Sequence, residues 1–225
     1  MYFLTMPDRG TRLPSFSQLF IYLVGCVVFA AGAFMFIYSN LGTDPLDVFS
    51  LGLQRYLPIT IGIAQTLIAV ICLGIVALWT RRRPLLSPIF TFFFCGSLID
   101  LLRLFQPADL LGMSSMSVML FGTLLCAYGS SLIIMSGFGI RGMDLLAIEM
   151  TKHWRLPFWS TKGALEAVLL ISGWLMGGPV GVGTLSFLIG VNAFIQPMMW
   201  ANARILRLRN FGLPPREAMA ETLPI

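Results

Sequence analysis

Six apolar runs along the chain are each long enough to cross a lipid bilayer. A membrane-spanning helix needs about 20 mostly apolar residues, because lipid offers its backbone no hydrogen-bond partner. We therefore predict an all-α polytopic membrane protein with six transmembrane helices. Their predicted bounds are 18–39, 60–80, 86–105, 115–136, 161–178 and 182–201.

Two polar motifs interrupt the apolar pattern, and the second is a variant of the first. The first is Leu41-Gly42-Thr43-Asp44-Pro45-Leu46-Asp47, and the second is Phe138-Gly139-Ile140-Arg141-Gly142-Met143-Asp144. The semi-apolar segments that they introduce, 45–56 and 142–154, are too short to span a bilayer. Each segment is therefore predicted to form a short, broken or re-entrant helix after the first span of its half.

The similarity between the two halves continues beyond the motifs. Each short segment is followed by a proline and then by an apolar run in which a glycine precedes a long polar residue by three positions. The prolines are Pro58 and Pro157, and the pairs are Gly62 with Gln65 and Gly163 with Glu166. The chain is therefore an internal duplication.

Each half contains three predicted spans, which is an odd number. The second half therefore enters the membrane from the opposite side, and the two halves form an inverted repeat, an architecture that recurs in secondary transporters. We predict a cytoplasmic N-terminal segment, two membrane repeats and a cytoplasmic tail. Their bounds are 1–17, 18–105, 106–201 and 202–225.

Composition and charge agree with a membrane protein. Of the 225 residues, 57% are hydrophobic and 11% are charged, which leaves too little polar surface for a soluble domain. With the N-terminus in the cytoplasm, thirteen of the fifteen basic residues lie on that side, and only Arg55 and Arg103 lie opposite. Because basic loops stay in the cytoplasm, we predict both termini there and interpret the net charge of +5 as a topology signal, with no nucleic-acid partner.

The first motif has two open interpretations. Proline is favoured at the first position of a helix, so Asp44 could cap a helix that begins at Pro45, with Asp47 near its exposed N–H groups. Such a helix could rest on the membrane surface. Alternatively the segment dips into the membrane as a re-entrant half-helix, which directs its N-terminal N–H groups at a solute or ion.

The two motifs differ in charge at one position. Asp47 and Asp144 occupy equivalent places, whereas Asp44 is matched by Arg141. If both motifs approach the midplane, Asp44 and Arg141 could form a buried pair or a gate. If both stay at their own surfaces, they are about 30 Å apart and cannot interact.

Glu166 is an ionisable residue within the fifth predicted span. Such a residue is costly in a bilayer and usually faces a polar interior, where Gln65 of the equivalent helix could donate a hydrogen bond to it. The alternative is a pair with Lys162, four residues earlier on the same helical face. The sequence leaves both interpretations open.

The remaining polar residues favour structural roles. Asp100 and Arg103 are predicted to form an interfacial pair on one helix, with a role in a solute pathway as the alternative. Asn192 is predicted to form a hydrogen bond between helices. Glycines from Gly173 to Gly190 predict close packing of the last two spans.

No set of residues predicts catalysis or metal binding. The four cysteines lie singly within predicted spans, and His153 has no neighbouring cysteine or histidine. The sequence lacks a nucleophile with a base, a phosphate-binding glycine loop and a metal-ligand motif. We therefore predict no cofactor, no metal site and no enzymatic activity.

The two half-motifs resemble those of the YczE/YitT-type bacterial membrane proteins, over most of the chain from about Gly25 to Pro197. The residues that carry the resemblance are Leu41, Gly42, Pro45, Asp47, Gly62, Gly139, Gly142, Asp144 and Gly163. The chain is closer to the shorter YczE branch, since it lacks the soluble C-terminal domain of the YitT branch. The resemblance implies the bacterial inner membrane and suggests transport, without a substrate.

We therefore expect a secondary transporter or permease for a small polar solute, with its site between the two broken elements. The residues expected to line it are Asp44, Asp47, Gln65, Arg141, Asp144 and Glu166. The acidic residues would serve as cation or proton sites, and Arg141 as an anion contact. The alternative is a non-transporting membrane module that supports a partner complex; the expected partners are the lipid bilayer, an unidentified solute or ion, and a possible second copy of the chain.

Overall fold

The computed structural model describes residues 15–81, 86–105, 112–138, 142–156 and 158–205, and these residues form helices and no strand. There are eight helices in this part of the chain: α1 (Phe16–Ser39), α2 (Pro45–Leu53), α3 (Ile61–Thr80), α4 (Ser87–Phe105), α5 (Ser115–Ser136), α6 (Gly142–Trp154), α7 (Phe158–Leu175) and α8 (Val182–Arg204). Within α8, Ser186–Val191 is a π-helical segment. The prediction of an all-α protein is therefore confirmed for the described residues.

Five of these helices are long and apolar enough to cross a membrane: α1, α3, α4, α5 and α8. The helix that corresponds to the fifth predicted span, 161–178, is α7, and it is not among them. Lys162 and Glu166 lie in its first half, and charged residues reduce its hydropathy. The described part of the chain therefore has five candidate spans where the sequence predicted six.

The helices that precede the two motifs end in the same local structure. The hydroxyl of Ser39 donates to the carbonyl three residues earlier at 2.7 Å and accepts from the N–H two residues later at 3.3 Å. Ser136 makes the same two bonds, at 2.6 and 3.2 Å. The next residue, Asn40 or Gly137, has left-handed backbone with φ of 55° or 67°. The duplication in the sequence is thus also a duplication of local structure.

The helices form two groups, each around its own hydrophobic core. The first group consists of α1, α4, α5 and α8, and its core includes Tyr22, Phe29, Cys126 and Phe187. The second group consists of α2, α3, α6 and α7, and each short helix packs on both α3 and α7. Its core includes Leu46, Ala69, Met143, Leu146 and Leu169. Helix α3 also packs on α4 and joins the two groups.

Helices α1 and α5 cross with their backbones in contact. A Cβ added at Gly32 would lie 2.6 Å from the backbone nitrogen of Cys126, and a Cβ at Gly129 would clash with the backbone of Phe29. Gly32 and Gly129 occupy equivalent positions in the two halves, so the crossing follows the duplication. The small residues that permit this close approach make the first group a tightly packed unit.

We predict that Gly32→Ala destabilises the protein, while Gly74→Ala does not. Gly74 is a helical glycine with nothing within 4 Å of an added Cβ, so alanine there should be neutral or stabilising. The added methyl at Gly32 must push α1 and α5 apart, at a cost of about 1–3 kcal/mol in the free energy of unfolding. Thermal unfolding of both variants in detergent measures this difference, and equal unfolding midpoints would contradict the role of the crossing.

Candidate functional site

The first motif begins with a backbone turn that is seated on the start of α8. Gly42 has a φ of +105°, a conformation that favours glycine. The N–H of Gly183 donates to the carbonyl of Leu41 at 2.7 Å, and a Cβ added at Gly42 would lie 2.6 Å from the nitrogen of Gly181. These glycines of the 173–190 region therefore pack against the first motif, whereas the sequence predicted packing of the last two spans on each other.

Asp44 caps α2, as one interpretation of the sequence predicted. Its backbone is extended, and its Oδ1 accepts a hydrogen bond of 2.6 Å from the N–H of Asp47. Pro45 is the first helical residue. Because the cap satisfies an N–H that would otherwise be unpaired in apolar surroundings, it defines where the chain re-enters a helix.

Asp47 lies in the first turn of α2 and contacts α3. Its Oδ1 accepts a hydrogen bond of 2.7 Å from Nε2 of Gln65, and its side chain is buried, with 1% of its surface exposed. Asp44 and Gln65 are also buried. A buried carboxylate is costly unless hydrogen bonds compensate it, so this contact ties the short helix to the long helix that follows.

A second polar cluster lies at the equivalent junction between α6 and α7. Lys162 Nζ is 3.6 Å from Oδ1 of Asp144 and 3.7 Å from Oε1 of Glu166. The prediction that Glu166 pairs with Lys162 is confirmed, and the structure adds Asp144 to the pair. Asp144 Oδ1 is buried and makes no hydrogen bond, because the ammonium lies just beyond hydrogen-bond distance.

The two clusters share a plan and differ in charge. In each, an aspartate in the first turn of a short helix meets a polar side chain near the start of the next long helix. The first cluster has a neutral amide partner, while the second has an ammonium and is more open, with side-chain exposures of 23% for Asp144 and 14% for Glu166. Carboxylates in such positions can bind a proton or a cation.

The short helices pack among the long ones. Gly142, at the start of α6, lies against Ala69 near the middle of α3. Trp154, at the end of α6, contacts Trp79 near the end of α3, with the two rings tilted and their centroids 5.4 Å apart. Similarly, Gly173 near the end of α7 lies against the backbone of α2. Each short helix thus runs alongside one half of a long helix from the other half of the sequence.

Three residues of the second motif lie outside the described residues. These are Gly139, Ile140 and Arg141, the last of which was expected to pair with Asp44. The described members of the predicted site are divided between the two clusters, with Asp44, Asp47 and Gln65 in one and Asp144 and Glu166 in the other. The pairing of Asp44 with Arg141 stays a prediction.

Two structural predictions from the sequence are wrong. Asp100 and Arg103 do not pair with each other: Asp100 accepts hydrogen bonds from the start of α3, and Arg103 donates to Gln54. Their three-residue spacing suggested a pair within one helix, but the adjacent helix end provides better-placed N–H groups. Asn192 donates to the carbonyl of Leu188 in its own helix at 2.7 Å, whereas a bond between helices was predicted.

Comparison with known proteins relates the chain to bacterial proteins, one of which is described as a membrane protein. The sequence model described as a family of unknown function, DUF6198, matches residues 16–199. The uncharacterized membrane protein YczE of Bacillus subtilis is 26% identical over 206 residues, which are 90% of this chain and 94% of the relative. The uncharacterized protein YyaS of the same organism is 29% identical over 168 residues, or 73% of this chain and 83% of the relative.

A second organism also has a relative. An uncharacterized protein of Haemophilus influenzae is 26% identical over 196 residues, which are 84% of this chain and 87% of the relative. No solved structure matches the chain. The residues that the family model matches, 16–199, include both motifs and both clusters.

We predict energetic coupling between Asp47 and Gln65 of about 1–2 kcal/mol in the free energy of unfolding, because removal of either leaves the other buried without this partner. A double-mutant cycle with Asp47→Ala and Gln65→Ala in detergent measures it. Thr66→Ala is the matched control, since the Thr66 hydroxyl donates to Gly62 within its own helix at 2.6 Å. Coupling as weak as that between Asp47→Ala and Thr66→Ala would show that the contact contributes nothing.

Proposed function

The chain belongs to the DUF6198 family, as its resemblance to YczE-type proteins indicated, and from this premise we propose that it is a secondary transporter or permease for a small polar solute. The observation that carries the proposal is the burial of Asp47 against Gln65 at the start of a short helix. Ionisable residues within membrane helices are expensive and mark pathways for solutes, ions or protons more often than they stabilise a fold.

The proposed membrane arrangement has six spans. They are the five candidate spans and α7, which is the fifth span in chain order. The cost of Lys162 and Glu166 in α7 is reduced because they pair with each other and with Asp144. The two halves then form inverted repeats in a bacterial inner membrane, with both termini in the cytoplasm. The recurrence of the Ser39 and Ser136 bonds at equivalent helix ends supports this arrangement.

The packing of the short helices supports re-entry over a location on the membrane surface. The 13 residues of α6 correspond to about 20 Å of helix, and they run from the middle of α3 to its end. A helix that rests on the surface would lie across the ends of the spans. A re-entrant segment packed against protein satisfies the constraint that irregular backbone within a bilayer be shielded from lipid.

In the proposed mechanism the two carboxylate clusters carry the coupling ion or proton. Asp47 and Asp144 lie where the positive ends of the short helices stabilise negative charge. A proton or monovalent cation that binds there would change the charge at a junction between a short helix and a long one. The second helix group would then move relative to the first, as one unit against another. The proposal includes no enzymatic step.

The alternative is a non-transporting membrane module that supports a partner complex. Its supporting observation is the low burial of α8, of which 22% is buried compared with 67% of α5. In this case the exposed side of α8 would contact another membrane protein or a second copy of the chain.

We predict that Asp47→Asn and Asp144→Asn each reduce uptake into proteoliposomes about tenfold or more, because an amide carries neither a proton nor a cation. Uptake is measured for a panel of radiolabelled amino acids, sugars, nucleosides and organic ions, with and without proton and sodium gradients. Glu149→Gln is the matched control, since Glu149 also lies on α6 but pairs with Lys152 outside the cluster, at 2.7 Å.

The control should leave uptake unchanged. If Asp47→Asn, Asp144→Asn and Glu149→Gln all reduce uptake equally, the two clusters have no special role in transport. If no solute of the panel enters and a membrane protein co-purifies in constant ratio, the alternative function is favoured.

We also predict that opposite charges at positions 44 and 141 are required. Asp44→Arg and Arg141→Asp should each reduce folded yield in membranes, and the double reversal should restore it in part, since arginine cannot replace the cap at a cost of about 1 kcal/mol. The control reverses Glu149 and Lys152, an exposed pair whose single reversals should have little effect. A double reversal no better than the worse single variant would refute the pairing.

A further inference from the structure

We infer that Asp100 and Arg103 of α4 form a closed gate on one side of the membrane, and that the equivalent gate at the start of α7 is open. The inference rests on the proposed function, because a gate has meaning only if a solute or ion passes. Asp100 and Arg103 lie outside both carboxylate clusters. With the second gate open, a solute or ion would reach the second cluster from that side of the membrane.

Asp100 holds the start of α3. Its two carboxylate oxygens accept hydrogen bonds from the N–H groups of Ile61 and Gly62, at 3.0 and 2.9 Å. The next N–H, that of Ile63, donates to the hydroxyl of Thr60 at 3.2 Å. Most of the N–H groups in the first turn of α3 therefore donate to a side chain of another helix. If α3 separated from α4, these N–H groups would be left unpaired.

Arg103 holds the end of the α2 region, one turn further along α4. Its Nη1 donates to Oε1 of Gln54 at 3.0 Å, and Nε2 of Gln54 donates to the carbonyl of Ile59 at 2.9 Å. Residues 54–62 are thus fastened to α4 at both ends by charged side chains. Since α4 belongs to the first helix group and this turn to the second, these bonds join the two groups at one membrane side.

The backbones of α3 and α4 touch beneath these bonds. A Cβ added at Gly62 would lie 2.8 Å from the nitrogen of Ser97, and Gly96 faces Gly62 at still closer range. No path for a solute passes between helices at such a distance. A groove of about 430 Å³ lies beside the contact and is lined in part by Asp100, Arg103 and Tyr38. Neither Gly62 nor Gly96 is among the described residues that line this groove.

The equivalent place in the second half is open. Gly163 corresponds to Gly62, and among the described residues no atom lies within 4 Å of a Cβ built there. Over the same part of the chain, α7 makes no packing contact with α8 comparable with that of α3 on α4. The start of α7 is held to α6 instead, where the hydroxyls of Thr151 and Thr161 are 2.8 Å apart.

This asymmetry corresponds to one of two alternating states. With the predicted topology, Asp100 and Arg103 lie on the extracytoplasmic side, and Gly163 lies on the cytoplasmic side next to Lys162 and Glu166. The structure then has its outer gate closed and its inner gate open. In the opposite state the bonds of Asp100 and Arg103 break, and the start of α7 closes on α8.

The test is cysteine labelling from each side of the membrane with an impermeant maleimide. The four native cysteines are buried, so wild type provides the background rate. Gly163→Cys reports the inner side in inside-out vesicles, and Ser97→Cys reports the outer side in intact cells. In the otherwise unchanged protein, Gly163→Cys should be labelled rapidly from the inner side, and Ser97→Cys should be labelled slowly from the outer side.

Each reporter is then combined with Arg103→Gln or, separately, with Gln54→Leu, which removes the same bond from the other partner. Both should raise the outer labelling rate of Ser97→Cys and lower the inner rate of Gly163→Cys, each about fivefold or more. Lys152→Gln is the matched control, since it removes an exposed ion pair elsewhere and should change neither rate.

Coupled and opposite changes at the two reporters support the gate. A faster Ser97→Cys reaction with no change at Gly163→Cys would mean a local structural bond, and unchanged rates at both would exclude a gate; either result overturns the inference, as does labelling of Gly163→Cys from outside. Coupled changes without uptake of any solute of the panel would support the two alternating arrangements of the helices and count against the transport proposal alone, so the two failures are distinguishable.

Discussion

Lipid offers no hydrogen-bond partner to a carboxylate or to the end of a helix, and this constraint explains where the polar residues of the protein lie. Each break in a membrane helix leaves N–H and carbonyl groups that the protein itself must satisfy. Asp44 satisfies the start of α2, Asp100 satisfies the start of α3, and Ser39 and Ser136 satisfy the ends of α1 and α5. The bond between Asp47 and Gln65 is different, since it joins two side chains and closes no helix end.

The two halves retain one backbone plan with different electrostatics. Lys162 stands one turn before Glu166 and compensates two carboxylates, while in the first half Gln65 offers a neutral amide to Asp47. A partly exposed ion pair can break and re-form at little cost, whereas a fully buried hydrogen bond is costly to break. We therefore expect the second cluster to exchange with solvent first and the first cluster to respond to it.

Local sequence patterns predicted the features that depend on neighbours along the chain. The spacing from Asp44 to Asp47 around Pro45 indicated a capped helix, and the four-residue spacing of Lys162 and Glu166 indicated their pair; both are present. The failures concern contacts between helices. Asp100 and Asn192 were assigned partners by spacing and chemistry alone, but a partner on another helix depends on which helices are adjacent and at what depth. For the same reason the glycines of the α1 and α5 crossing were missed.

The division into two helix groups follows from these contacts and determines which parts can move. The crossing of α1 and α5 brings backbone against backbone at Gly32 and Gly129, so a shift there would cost many packed contacts at once. The two ends of helix α7 differ: near its end Gly173 packs against the backbone of α2, whereas its first half carries Lys162 and Glu166 and leaves Gly163 exposed. The charged and exposed first half of α7 is therefore the part whose position a change in charge can alter. Motion in this protein should therefore begin at α7 and be resisted at α1 and α5, and the hydrogen bonds of Asp100 and Arg103 lie between these two regions, where one group is fastened to the other.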